Sequence, residues 1–403
     1  MAGEKLRFGS AAYMRCAQAM FAGGFSTFSM LYCVQPLLPL FAASFRLTPA
    51  AASGAVSAAT GGMALALIPA SLLSDRLGRS RIMNISLLLS ALLMMASAFA
   101  PDFGSLLVMR ALLGIVLAGL PAVGMAYLSE EVEPGSLGRA LGLYIAGNAL
   151  GGMSGRLLAA LLCEWLSWRS SLGILGAIAL ASAVLFCRGL PPSRFFTPRP
   201  IDAAHLAAGM RRICADAGLP WLFLCGFVLM GCFVSLYNLL GFRLEQAPFA
   251  LTPGEEGLIF TLYMIGMFGS AWAGRLADRI GRRKVLYLMV LAMAAGLALT
   301  APASLTSIVA GIAIFTFGFF GGHSIASSWV GLRAGSDKAL ASALYLSSYY
   351  LGSSVLGTSS GWLWSRWQWS GVVAGQLAVL ALCLAAALRL GRVTPLATTT
   401  RRT

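Results

Sequence analysis

Arg110 and Arg156 stand inside long apolar runs, while the 14 acidic residues are read as lying at the two membrane faces, nine on one side and Asp102, Glu164, Glu245, Glu255 and Glu256 on the other. A guanidinium in such surroundings must face a wet cavity, bind backbone carbonyls or meet an anion, because burying it bare is costly. By rise per residue, Arg110 lies roughly 9 Å from the outer end of its run and could snorkel out, whereas Arg156 lies roughly 20 Å or more from the inner end of its own. Two roles fit each arginine: a structural or coupling one, and direct contact with a bound molecule. His323 could take up a proton near neutral pH, or simply hydrogen-bond across a packed helix interface. Tyr32, Gln35, Asn148, Tyr237 and Asn238 are polar groups in apolar runs, suited to lining a cavity or to bonding between helices. No acid–base pair or metal cluster falls in any run, so neither catalysis nor a cofactor is expected. The cysteines show no CxxC or zinc-like spacing; Cys33, Cys225, Cys232 and Cys383 read as small core hydrophobes.

The elements that must position these residues are membrane helices. The chain is 58% hydrophobic and only 11% charged, against roughly 25% charged in a soluble domain. A helical span needs about 20 mostly apolar residues, and runs of that length recur at 17–41, 50–72, 82–100, 104–128, 139–163, 170–187, 220–242, 254–274, 285–302, 305–330, 339–363 and 370–390. Barrel strands would be about ten residues of alternating pattern, which these are not. The first run is longer than a secretory signal segment and is expected to remain as a span. Gly357–Gly361 fits a nucleophile-elbow pattern, and Asn84–Ser86 a glycosylation acceptor, but both lie within helical runs and are set aside.

Net charge +15 would suit nucleic acid, but 23 of the 29 Lys and Arg gather in the loops on one side and 4 on the other. That is the topological signature of cytoplasmic loops, so both termini are expected in the cytoplasm of a bacterial-type inner membrane. Trp165, Trp168, Trp362, Trp364, Trp367 and Trp369 gather at the opposite face, as an aromatic belt would. No nucleic-acid partner is expected.

The two halves repeat. Asp75-Arg76-Leu77-Gly78-Arg79 is echoed by Asp278-Arg279-Ile280-Gly281-Arg282, Gly119 by Gly321, Tyr144 by Tyr345 and Trp168 by Trp369. An offset that drifts so little means internal duplication, with a six-helix bundle over 1–188, a cytoplasmic linker over 189–219 and a second bundle over 220–403.

The motif Ser71–Arg81, repeated as Gly274–Lys284, resembles the signature of the major facilitator superfamily. Arg110 with Gly114 is similar to that family's second motif, and Gly147-Asn148-Ala149-Leu150-Gly151-Gly152 resembles its antiporter motif with Asn in place of Pro. Tyr32–Pro39 and Tyr237–Arg243 are similar to the acriflavine-sensitivity (YnfM-like) branch. The resemblance implies an all-α fold of twelve transmembrane helices in two pseudo-symmetric bundles. It also implies that Asp75, Arg76, Gly78 and Arg79, with Gly274, Asp278, Arg279, Gly281 and Arg282, gate the cytoplasmic side. Asp75 would dock on the start of the eleventh span and Asp278 on that of the fifth. The alternative for these arginines is topology alone.

The function implied is alternating-access transport of a small organic molecule, proton-coupled and outward, by a monomer in contact with membrane lipids. Two features stand against simple proton-driven drug export: Asn148 replaces the antiporter proline, and no carboxylate is read inside a span. An organic-anion transporter using Arg110 and Arg156 keeps the same fold with different cargo. A non-transporting membrane sensor is the alternative of another class.

Overall fold

The computed structural model describes residues 4–198 and 203–390, and these are almost wholly helical, with one isolated bridge between Leu6 and Val132. The helices are α1 (Ala11–Phe45), α2 (Pro49–Leu77), α3 (Arg79–Ser97), α4 (Phe103–Glu131), α5 (Pro134–Trp165) and α6 (Trp168–Gly189). They continue with α7 (Leu219–Leu244), α8 (Pro253–Ile280), α9 (Arg282–Leu299) and α10 (Leu305–Arg333). A final helical stretch, Lys338–Leu390, is broken at Gln368, where φ is +53°, giving α11 (338–367) and α12 (369–390). Twelve long helices therefore stand among the described residues. A short helix, Ala203–Ala215, precedes α7.

Local chemistry starts and stops these helices. Ser10, Thr48, Asp102, Ser167, Thr252 and Ser304 each accept a backbone N–H three residues on, satisfying donors that a helix start leaves open. The α2–α3 and α8–α9 corners turn at Gly78 (φ +98°) and Gly281 (φ +90°), values that favour glycine. Within the first span, α1 stops its regular hydrogen bonding at Tyr32 and continues through a 3₁₀ turn, Gln35–Leu37. Pro36 has no N–H to give and obstructs the helix behind it.

Close helix pairs are built on small residues, as is usual in lipid. A Cβ at Gly147 or Gly151 of α5 would collide with the carbonyl of Phe21 or Phe25 in α1, and one at Gly352 of α11 with that of Phe227 in α7. Likewise Gly119 of α4 abuts Ser86, and its repeat mate Gly321 of α10 abuts Met289. The duplication read from sequence thus recurs as the same helix contacts in each half.

By backbone proximity the chain forms two compact units. One comprises Met1–Ile201, Val234–Tyr263 and Ser353–Val372; the other comprises Asp202–Phe233, Met264–Gly352 and Val373–Thr403. The first unit holds α1–α6 with the end of α7, the start of α8 and much of the second half of α11. Within it Ala50 packs on Gly361, the Thr358 hydroxyl donates to Ser57 Oγ at 2.7 Å, and Gly254 N–H donates to Glu164 at 2.7 Å. Trp165, Trp362 and Trp367 are exposed at this end.

Candidate functional site

Arg156, Gln35, Tyr32, Tyr237 and Asn238, all picked out by sequence, converge inside the first unit. The glycine face of α5 brings α1 close enough for Arg156 Nε to donate to Gln35 Oε1 at 2.6 Å, and the 3₁₀ turn aims Gln35 at α5. Gln35 Nε2 donates onward to Asn238 Oδ1 at 2.7 Å and to the Val234 carbonyl at 3.3 Å. A second Arg156 nitrogen donates to the Gly152 carbonyl at 2.5 Å.

Aromatic rings surround this guanidinium. Its central carbon lies 4.3 Å from the Tyr32 ring centre, 4.9 Å from Tyr263 and 5.6 Å from Phe260. Tyr237 stacks on Phe260 at 5.4 Å. Ring faces stabilise a cation, most of all where water is excluded, and Arg156 is only 1% exposed. Tyr263 and Phe260 were missed by sequence reading, because aromatics in an apolar run look like ordinary core. No carboxylate pairs with Arg156 among the described residues, and the buried Nδ2 of Asn238 has no acceptor. The cluster is rich in donors and short of acceptors, which suits an anionic or carbonyl-bearing ligand.

Arg110 does not snorkel. It turns inward, fully buried, and all three guanidinium nitrogens donate to carbonyls: Nε to Ala55 at 3.0 Å, and the other two to Met30 at 2.9 Å and Leu31 at 2.5 Å. Met30 and Leu31 end the regular part of α1, where carbonyls lack their helical N–H partners. Arg110 caps that terminus from α4, the position at which a cation is favoured.

Asn148 lies elsewhere on α5. It is pressed against Gly24, beside Tyr144, two helical turns from Arg156. His323 belongs to the second unit. Its Nδ1 is 3.0 Å from the Tyr345 hydroxyl, and its ring lies 4.5 Å from that of Tyr349. Tyr345 in turn fills the space above Gly226, as Tyr144 does beside Gly24.

At the α2–α3 corner Arg79 is the hub. It pairs with Asp75 at 2.5 Å and Glu130 at 3.1 Å, bonds the Ser74 hydroxyl at 2.7 Å, and faces the Phe196 ring. Glu131 accepts the backbone N–H groups of Arg194 and Phe195, fastening the following segment to α4. Arg76, Asp278 and Arg279 are exposed, Arg282 is half-buried, and a Cβ on Gly274 would meet nothing. The second unit relies instead on residues that sequence reading passed over. Asp216 caps α7 through Gly218 and Leu219 and pairs with Arg333 at 2.5 Å, while Arg212 grips Asp337 through two nitrogens at 2.9 and 2.8 Å. Burial would raise the Asp216 pKa, but the Arg333 guanidinium and the two backbone donors outweigh it and hold the carboxyl below its usual value.

Glu256, expected at the outer face of the membrane, is instead buried: it is 1% exposed, in the first turns of α8.

Twelve helices in duplicated halves, with buried cations facing polar and aromatic groups, define a membrane transport fold. The chain belongs to the Major Facilitator Superfamily, whose family model matches residues 20–248 and 244–402. It is 46% identical over 341 residues to the uncharacterized MFS-type transporter YybF of Bacillus subtilis (strain 168), covering 85% of this chain and 84% of that one. It is 42% identical over 343 residues to the inner membrane transport protein YnfM of Escherichia coli (strain K12), covering 85% and 82%. Among solved structures it superposes with TM-score 0.77 on a bacterial homolog of the human lysosomal transporter Spinster, at 16% identity over 96% of this chain and 98% of that one.

Proposed function

We propose that the protein is a secondary transporter of the inner membrane that carries a small organic anion by alternating access, outward and coupled to protons. The chain is oriented with the Asp75 and Asp278 corners in the cytoplasm, on the strength of the Lys and Arg asymmetry. The observation that carries the cargo class is the Arg156 cluster: a buried guanidinium with no carboxylate partner among the described residues, ringed by Tyr32, Phe260 and Tyr263, beside the unused Asn238 donor. A carboxylate would find a charge-assisted donor there, and an aromatic or aliphatic body would find ring faces. Paired repeats enclosing a midplane site are the arrangement on which rocking transporters work. Arg110, spent on three carbonyls, is left to structure rather than cargo.

The test is counterflow in proteoliposomes with anionic, neutral and cationic solutes, for wild type and Arg156→Ala. Exchange of anions that is lost in the variant is the expected result. Anion exchange that survives Arg156→Ala removes the binding role, and no exchange of any solute by the wild type removes the transport reading itself.

A further inference from the structure

The first unit contains a buried acid that neither the Arg156 cluster nor the corner motif uses. Glu256 is 1% exposed, and both of its carboxyl oxygens are buried without a hydrogen-bond partner among the described residues. The side chain lies over Gly241 of α7, where a Cβ would fall 2.8 Å from one carboxyl oxygen, 3.0 Å from the other and 3.0 Å from the Pro39 ring. The missing side chain at Gly241 is what leaves room for the acid. Glu245, at the end of α7, lies close enough to act on Glu256 electrostatically and has a buried, unpartnered oxygen of its own.

The other charged and titratable groups around Glu256 are occupied elsewhere. On α5, Glu164 accepts the Gly254 N–H and Arg156 is bound to Gln35 and Gly152. On α8, the Glu255 carboxylate is exposed and caps Thr252 N–H, while Tyr263 faces Arg156. On α7, Arg243 stacks on Trp369 and Phe249, and Tyr237 stacks on Phe260. Tyr32, on α1, also faces Arg156.

A carboxylate with no donor and no cation beside it, in a site closed to water, is far costlier than the neutral acid. We infer that Glu256 is a proton-binding site of the second half, holding its proton in this conformation, with Glu245 as the neighbouring carboxyl through which that proton is exchanged. Burial lifts the Glu245 carboxyl to about 7, so it titrates in the range where such exchange is useful. When the two ends of α7 and α8 separate, water reaches Glu256, its O–H bond breaks, the proton passes to Glu245 or to water, and the carboxylate is left hydrated. Closure then requires reprotonation, because the bare carboxylate cannot be reburied cheaply. The inference rests on the proposed transport function for its consequence, coupling, but not for the protonation itself.

The experiment is an infrared pH titration of the full chain in lipid. Wild type is expected to keep a protonated-carboxyl C=O band at neutral pH that Glu256→Gln removes, with Glu245→Gln shifting the titration midpoint of that band. Glu256→Asp serves as the second variant should Glu256→Gln fail to fold: its shorter arm moves the band frequency without abolishing it. A band unchanged by Glu256→Gln, or no protonated carboxyl at neutral pH, overturns the site. Acid-driven solute accumulation is expected to be lost in Glu256→Gln. Wild-type counterflow is the separate control: if it is absent, the transport reading fails while the infrared band still decides the proton site.

Discussion

Arg156 of α5 and Gln35 of α1 are joined by a 2.6 Å hydrogen bond from guanidinium to amide oxygen, and that bond sets the orientation of the amide. With its oxygen engaged, Gln35 can only donate toward Asn238, which it does at 2.7 Å. Asn238 then accepts through its oxygen and leaves its own Nδ2 buried beside Gly357 of α11 without an acceptor among the described residues. One cation thereby fixes the polarity of two amides on opposite halves of the duplicated chain.

Gln35→Leu is expected to break this relay at its first link. The Arg156 guanidinium loses an acceptor, and Asn238 loses the bond that fixes its amide. A hydrogen bond to a charged group contributes about 1.5–3 kcal/mol, which corresponds to roughly a 10- to 150-fold weaker affinity for the anion. Solute binding to purified protein by calorimetry checks it. Gln35→Glu separates the causes: it supplies a carboxylate to Arg156, and it should abolish anion binding while leaving the fold at least as stable.

Arg110 should behave differently, as a stability residue. Arg110→Leu strands the carbonyls of Met30, Leu31 and Ala55 in the membrane interior, and a cost of about 3–5 kcal/mol is expected, as when one side of a buried charged network is removed. Arg110→Lys offers one compact ammonium in place of a planar fork and should recover only part of this. Thermal melting of the full chain in lipid reads the difference. A variant that melts like wild type but no longer binds solute would move Arg110 into the cargo site.

Tyr32, Gln35, Arg156, Tyr237 and Asn238 stand out as candidates in the sequence because polar groups in apolar runs are conspicuous, but that they meet in one cluster is a fact of the structure alone. Asn148 and His323 were equally conspicuous, yet each lies in its own surroundings; residue type alone does not say which neighbour a helix face meets. Phe260 and Tyr263 carried no signal, since an aromatic in a span is ordinary core until a cation is placed beside it. Glu256 was misread for another reason. Counting from the end of a run cannot tell an exposed first turn from one covered by α7 and by Pro39 of α1. The twelve helices and their duplication were plain from run length and repeat spacing, whereas run length alone does not show the 3₁₀ turn at Pro36 inside α1.

The glycine contacts between α1 and α5, and between α7 and α11, give a matched pair of predictions. Gly151→Val drives a side chain into the Phe25 carbonyl, and Gly352→Val into that of Phe227. Overpacking of this kind costs about 1–3 kcal/mol, and each variant should melt lower than wild type. Gly142→Ala on the same α5 helix meets nothing within 4 Å. It should raise stability slightly, by up to about 1 kcal/mol, through helix propensity alone. If Gly142→Ala and Gly151→Val shift melting alike, close packing is not what holds the two helices.

Two carboxyls outside the helices should shape stability against pH in opposite directions. Burial raises Glu245 from 4.5 to about 7, so the folded chain retains a proton that the unfolded chain has released, and stability falls as pH rises between those values. Asp216 is the reverse case: burial works to raise it, but the Arg333 pair and the Leu219 and Gly218 donors leave it below 3.8. Its contribution is full above 3.8 and is lost as pH falls through the lower folded value. Glu245→Gln is therefore expected to flatten the decline toward neutral pH, and Asp216→Asn to flatten the acid limb while lowering stability at neutral pH. Melting temperatures across the titration, measured on the full chain, distinguish them. A neutral-side slope that persists in Glu245→Gln would assign that proton to another group.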